Sequence, residues 1–234
     1  MKENKRKRGK PKSKKSRKRK PKKLRLPLLA VVMLLLLAAV LYGLDIIPHS
    51  YYTNRHFGIE DYISGNDQDG DGIDDQTDML KGAKDYVATK PKYKSKYYEG
   101  GYPDDEYGVC TDVVAQAMKA AGYDLMALVN ADIAEHGADY NIEKPDPNID
   151  FRRVRNLDVY FQHTAISLST DINEIDQWQG GDIIVFKKHI GIISDKRNAD
   201  GIPFLIHHSN PAQVNYEQDR LADRDDIIGH YRIS

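Results

Sequence analysis

Apolar positions in this chain change period about two thirds of the way along. Before that point they recur every three or four residues, which predicts helices over residues 76–89, 110–121, 125–135 and 154–163, the last with Val154, Leu157 and Phe161 on one side. After it come short apolar runs bounded by turn residues, which predict strands over 165–168, 182–186, 189–194, 203–208 and 227–233. Helices first and sheet second argue for an α+β domain, with an antiparallel sheet as the partner of the helix that starts at Cys110. Segments 99–105 and 145–147 carry the Gly, Pro and Asp of turns and loops, and no internal repeat breaks the order.

One further apolar run stands apart. Residues 26–44 are nineteen residues without a charge, rich in Leu, Val and Ala, with Pro27 near the start where a helix tolerates it. The length predicts one membrane span, uncleaved because no small-x-small pattern precedes Asp45. The first 25 residues hold sixteen Lys and Arg against one Glu, so the positive-inside rule predicts a single-pass type II protein with everything after Asp45 outside the cell membrane. The excess of cations suits anionic lipid headgroups, so the expected partner of this end is the plasma membrane. Nucleic acid is not expected, because the tail has no aromatic residues for base stacking.

The neutral total charge hides two halves. Subtracting the tail's sixteen and one from thirty-five of each sign leaves nineteen Lys and Arg against thirty-four Asp and Glu. Such an acidic body disfavours polyanionic partners unless cations bridge them. The expected organisation is a basic cytoplasmic tail (1–25), a transmembrane anchor (26–44), an extracytoplasmic neck (45–96) and a catalytic domain (97–234). With one cysteine the chain has no intrachain disulfide.

The neck carries Asp67, Asp69, Asp71, Gly72, Ile73, Asp75 and Asp78 in the spacing of a calcium loop, with carboxylates at positions 1, 3, 5, 9 and 12 and glycine at 6. Gly72 permits the sharp turn and the carbonyl of Ile73 would be the backbone ligand. Asp at position 12, in place of the longer Glu, makes affinity for Ca2+ modest. The spacing also resembles thrombospondin type 3 repeats. Its role is expected to be structural, and the competing reading is a solvated acidic turn.

Cys110 sits where a Tyr- and Pro-rich loop gives way to a helix, and His189 opens a strand seventy-nine residues later. The attacking species of a cysteine nucleophile is its thiolate, and both a helix N-terminus and a nearby imidazole favour it. Asp112 opposes ionisation if its carboxylate faces the thiol. A buried, inert cysteine is the competing reading. A third polar group could orient the first imidazole. Alternation points His207 and His208 to opposite faces, so one of them serves; His207 is chosen, although parity alone does not say which.

The segments Gly-Val-Cys-Thr-Asp-Val-Val, Ile-Asp-Phe-Arg-Arg-Val-Arg-Asn-Leu, Gly-Asp-Ile-Ile-Val-Phe, His-Ile-Gly-Ile-Ile-Ser and Gly-His-Tyr-Arg-Ile resemble the bacterial domain of unknown function 1287, over roughly residues 97–233. That family resembles the NlpC-type cell-wall peptidases, so the resemblance implies a papain-like cysteine hydrolase fold. It implies Cys110 as nucleophile, His189 as base and His207 as orienting group, with no cofactor for catalysis. The His-His pair departs from the His-Asn expected at 207–208.

The expected activity is therefore hydrolysis of an amide bond in cell-wall peptide, peptidoglycan being the substrate. The alternative is a non-catalytic, calcium-ordered module that binds wall or protein. Arg152, Arg153 and Arg155 are read either as forks for stem-peptide carboxylates or as neutralisers of Asp146, Asp150 and Asp158.

Overall fold

The structure, a computed structural model, describes residues 25–43, 46–47 and 49–233. The expected basic tail falls, save Arg25, outside the described residues, as do Leu44 and Asp45. The chain divides into two compact units after Leu41. Helix α1 (Arg25–Gly43) is the described element of the first.

The apolar run does fold as a helix, but among the described residues no helix is long and apolar enough to cross a membrane. This finding overturns the transmembrane anchor, and with it the single-pass type II placement at the cell membrane.

The second unit is α+β. Its helices are α2 (Asp75–Ala88), α3 (Cys110–Ala120), α4 (Leu125–Tyr140) and α5 (Val154–Thr164). Local chemistry sets their starts. Asp74 caps α2 by accepting the N–H of Thr77 at 3.3 Å, and Asp124 caps α4 by accepting that of Ala127 at 3.2 Å. At α3 the extended residue Val109 offers no cap, and the carboxylate of Asp112 reaches back to accept its N–H at 2.8 Å. Helix α4 runs past residue 135 because the chain bends at His136 (φ −118°, ψ 31°) and resumes the helix, ending at Asn141 in the left-handed region.

Six strands form one antiparallel sheet: β3 (Ile166–Ser167), β4 (Ile183–Phe186), β5 (His189–Arg197), β6 (Pro203–Ile206), β7 (Glu217–Gln218) and β8 (Ile227–Arg232), in the order β3-β8-β4-β5-β6-β7. Two short parallel strands, β1 (Lys92–Tyr93) and β2 (Tyr107–Gly108), lead into α3.

Both faces of the sheet are covered, which is why its strands read as apolar runs without polar alternation. Ile183, Val185, Ile190, Ile192 and Ile206 pack under the helices with Met79, Val113, Val114, Leu157 and Phe161. Ile184, Phe186, Ile193 and Leu205 point the other way and bury Trp178, Ile202 and Leu221. Helix α2 belongs to the first core through Met79 and Ala83, although its residues lie in the segment expected as a neck. It comes so close to α3 that a Cβ at Gly82 would stand 2.4 Å from the Cβ of Ala120.

Buried Asp182 holds the open end of β4. It accepts bonds from Gln76 Nε2 (2.9 Å), the N–H of Gln179 (2.8 Å) and Arg232 Nε (2.7 Å), and lies 2.9 Å from His230 Nε2. The His230 ring stacks on Trp178 at 3.8 Å. Gly181, at φ 95°, lets the backbone approach the Gln76 carbonyl; a Cβ there would lie 2.5 Å from that oxygen.

Candidate functional site

Cys110 is the first residue of α3, and its thiol meets backbone N–H groups of Ile190, Thr111 and Cys110 itself. Ile190 follows His189, so the thiol touches β5 at the residue next to the imidazole. Burial pushes the thiol up to about 11, while the hydrogen bonds from the Ile190 and Thr111 N–H groups pull it back. Asp112 adds a smaller upward push. Its carboxylate is turned into the core, where Arg152 clamps it with Nε to Oδ1 at 2.8 Å and Nη2 to Oδ2 at 2.8 Å. Arg152 also donates to the Lys96 carbonyl at 2.7 Å and lies over the ring of Tyr98.

That clamp gives Arg152 a partner that neither reading of the arginine cluster named. Asp112 is fully buried and Arg152 is 7 % exposed, so neither is offered to a ligand. Arg153 lies 3.5 Å from Asp150, and Arg155 donates to the Tyr140 carbonyl.

His189 opens β5 and is paired with Phe186 across the hairpin. Strand parity places it on the face away from Ile190, together with Gly191 and, on the neighbouring strand, Leu205 and His207. His189 Nε2 and His207 Nδ1 are 2.7 Å apart, and His207 Nε2 lies 2.9 Å from Gln218 Oε1. His208 turns to the opposite side, edge-on to Tyr93 and Tyr216. Its Nδ1 is buried with no hydrogen-bond partner.

The protons along this chain follow from its far end. Gln213 Oε1 accepts the N–H of Ser209 at 2.6 Å, which makes its Nε2 the donor to Gln218 Oε1 at 3.0 Å. Gln218 Oε1 is thereby an acceptor, so His207 carries its proton on Nε2 and presents a lone pair at Nδ1. His189 must then donate from Nε2, and its Nδ1 is left with a lone pair. Both rings are neutral: burial, reinforced by His207, lowers His189 to about 3, and burial lowers His207 to about 4. Gln213 and Gln218 carried no signal in the sequence, because amides in a polar segment whose strand is two residues long have no distinctive spacing.

The acidic loop is a second cluster. Asp67, Asp69 and Asp71 bring carboxylate oxygens within 4.8 Å of one another. Each is held by the loop's own backbone: Asp67 accepts from Gly70 and Gly72, Asp69 from Asp71, and Asp71 from Ile73. The turn needs Gly70 and Gly72 at positive φ. Desolvation raises the Asp78 carboxyl, with Asp71 and Asp69 adding to it. Asp75 is drawn away: one oxygen accepts the N–H of Gln68 at 2.8 Å and the other the hydroxyl of Tyr123 at 2.5 Å.

No solved structure matches this chain. The expectation of a papain-like, NlpC-type fold is therefore corrected to α+β alone. That expectation came with the family resemblance, which carries a site pattern of a cysteine on a helix and a histidine on a strand, and unrelated architectures host the same chemistry. A curated relative, "Uncharacterized protein YijF" of Escherichia coli (strain K12), is 38% identical over 151 residues, 61% of this chain and 72% of the relative. A family described as Domain of unknown function (DUF1287) matches residues 80–233, from within α2 to the end of β8. On that match, which takes in Cys110, His189 and His207 together, the chain belongs to the DUF1287 family.

Proposed function

We propose that this protein is a cysteine-dependent hydrolase that cleaves an amide bond, with cell-wall peptide as its substrate class. The observation that supports it best is the seat of the Cys110 thiol at the first turn of α3, against the backbone N–H of Ile190, the residue that follows His189 in β5, whose imidazole is bonded in line to His207 and Gln218. In this reading the resting pair is a neutral thiol and a neutral imidazole, so His189 works as a general base.

The Sγ proton passes to His189 Nδ1 as the S–C bond forms at the substrate carbonyl carbon. The oxyanion accepts from backbone N–H groups at the start of α3. Collapse breaks the C–N bond, and the leaving amine takes the proton from His189. Water then gives a proton to the same nitrogen and attacks the thioester; loss of the C–S bond returns the proton to sulfur. His207 acts through His189 as a positioning residue. The substrate class rests on the resemblance to NlpC-type peptidases, and mass spectrometry of purified peptidoglycan incubated with the protein tests it. Fragments that vanish with Cys110→Ala and His189→Gln but persist with His208→Gln are expected. Fragments that persist with Cys110→Ala would sink the hydrolase.

A second reading, a non-catalytic binding module, is favoured by one observation: a partly buried thiol raised to about 11 is what an inert cysteine shows. Retained sacculus binding with no product would select it. For either reading we propose a structural Ca2+ at Asp67, Asp69, Asp71 and Asp78, in the manner of a thrombospondin type 3 loop, with Asp75 bracing the loop from within. Calorimetry with millimolar Ca2+ tests this, and no heat of binding would refute it.

A further inference from the structure

We propose that Asp132, His136 and His163 form a site for a borderline divalent transition ion such as Zn2+, tying the bent end of α4 to the last turn of α5. The three residues bring one ligand-capable atom each within 4.8 Å of one another. Asp132 and His136 are one helical turn apart and share a face, while His163 comes from the neighbouring helix. His136 Nδ1 lies 3.1 Å from Asp132 Oδ1 and His163 Nδ1 2.7 Å from Asp132 Oδ2. Ligand atoms about 2.0–2.1 Å from a tetrahedral ion stand about 3.3 Å apart, so small rotations of the two rings suffice.

Two details favour an ion over a simple contact between helices. The outer nitrogen of each ring faces a carboxylate: His163 Nε2 is 3.5 Å from Asp139 Oδ2, and His136 Nε2 is 4.0 Å from Glu135 Oε1. Imidazoles that bind a metal through one nitrogen habitually offer the other to such an acceptor, which fixes tautomer and orientation. The second detail is the bend. His136 alone leaves helical geometry inside α4, with Gly137 after it, and its ring lies 4.9 Å from that of His163.

Tyr140 donates its hydroxyl to Asp132 and holds that carboxylate in place. The mixed nitrogen and oxygen set selects Zn2+ and its neighbours over Ca2+, which the all-oxygen loop would take. With His136 43 % and His163 26 % exposed, the ion has a path in and room for a water as fourth ligand.

The test uses the full chain with Cys110→Ser, so that no thiol competes, and Zn2+ titrated against a chromophoric chelator. One bound equivalent is expected, with affinity at least tenfold lower in His136→Ala and in His163→Ala and unchanged in Asp67→Asn. In the protein with all histidines intact, Zn2+ should protect His136 and His163 from diethylpyrocarbonate, as mapped by mass spectrometry, a readout that does not depend on how the variants fold. Absence of stoichiometric binding, or equal modification of both histidines with and without Zn2+, would overturn the site.

Discussion

Ionisation of Cys110 is decided by its surroundings. A helix start favours the thiolate, but burial wins and leaves the thiol near 11. Alkylation by iodoacetamide should therefore climb about tenfold per pH unit until near 11, and at neutral pH run roughly a hundredfold slower than a free thiol. Turnover, if His189 is the base, should be flat from pH 5 to 9, because His189 is neutral above about 3. A thiolate–imidazolium pair would instead give a bell centred near neutrality. Asp112 carries a separate expectation. Asp112→Ala strands the buried Arg152 and costs about 3–5 kcal/mol in urea unfolding, whereas Asp112→Leu with Arg152→Leu recovers a large part. The sequence placed Asp112 beside the thiol; it held no sign of a partner forty residues away.

Elements were the most legible scale. The change of period announced α3, α4, α5 and the four longer strands, since burial on one or both faces leaves its mark on every turn or pair of residues. The two-residue strands β1, β2 and β7 left none, lying in polar segments with no apolar run, whereas the equally short β3 falls inside the predicted strand at 165–168. Contacts between elements are likewise silent in sequence, as Gly82 shows. Helix propensity alone makes Gly82→Ala a gain of about 1 kcal/mol. The Ala120 Cβ at 2.4 Å reverses the sign, and a net loss of about 1–3 kcal/mol is expected by chemical denaturation. Adding Ala120→Gly should restore most of it.

Stability of the whole molecule should depend on acid through the histidine pair. His189 and His207 are held neutral in the fold at about 3 and 4, below the ordinary 6.5, so the unfolded chain binds more protons between those values. Their neutral burial is fully tolerated above pH 6.5. As pH falls below it, each imidazole costs about 1.4 kcal/mol per pH unit until its folded value is reached. Urea midpoints at pH 7 and 5 measure this, and His189→Phe should flatten the slope by its share.

What the sequence determined by itself is whatever depends on near neighbours along the chain: the order of helices and strands, the caps, the glycine turns of the acidic loop and the positions of Cys110, His189 and the histidine pair. What only the tertiary structure decided is which of these meet. Parity says that His207 and His208 face apart, but the face that holds His189 is set by how the helices settle on the sheet. Asp75 fits the loop's spacing and is nonetheless taken by Tyr123, and His136, at the bend of α4, meets His163 of α5. A period constrains neighbours within a turn or two, whereas these pairings close over tens of residues and depend on packing that no local pattern encodes.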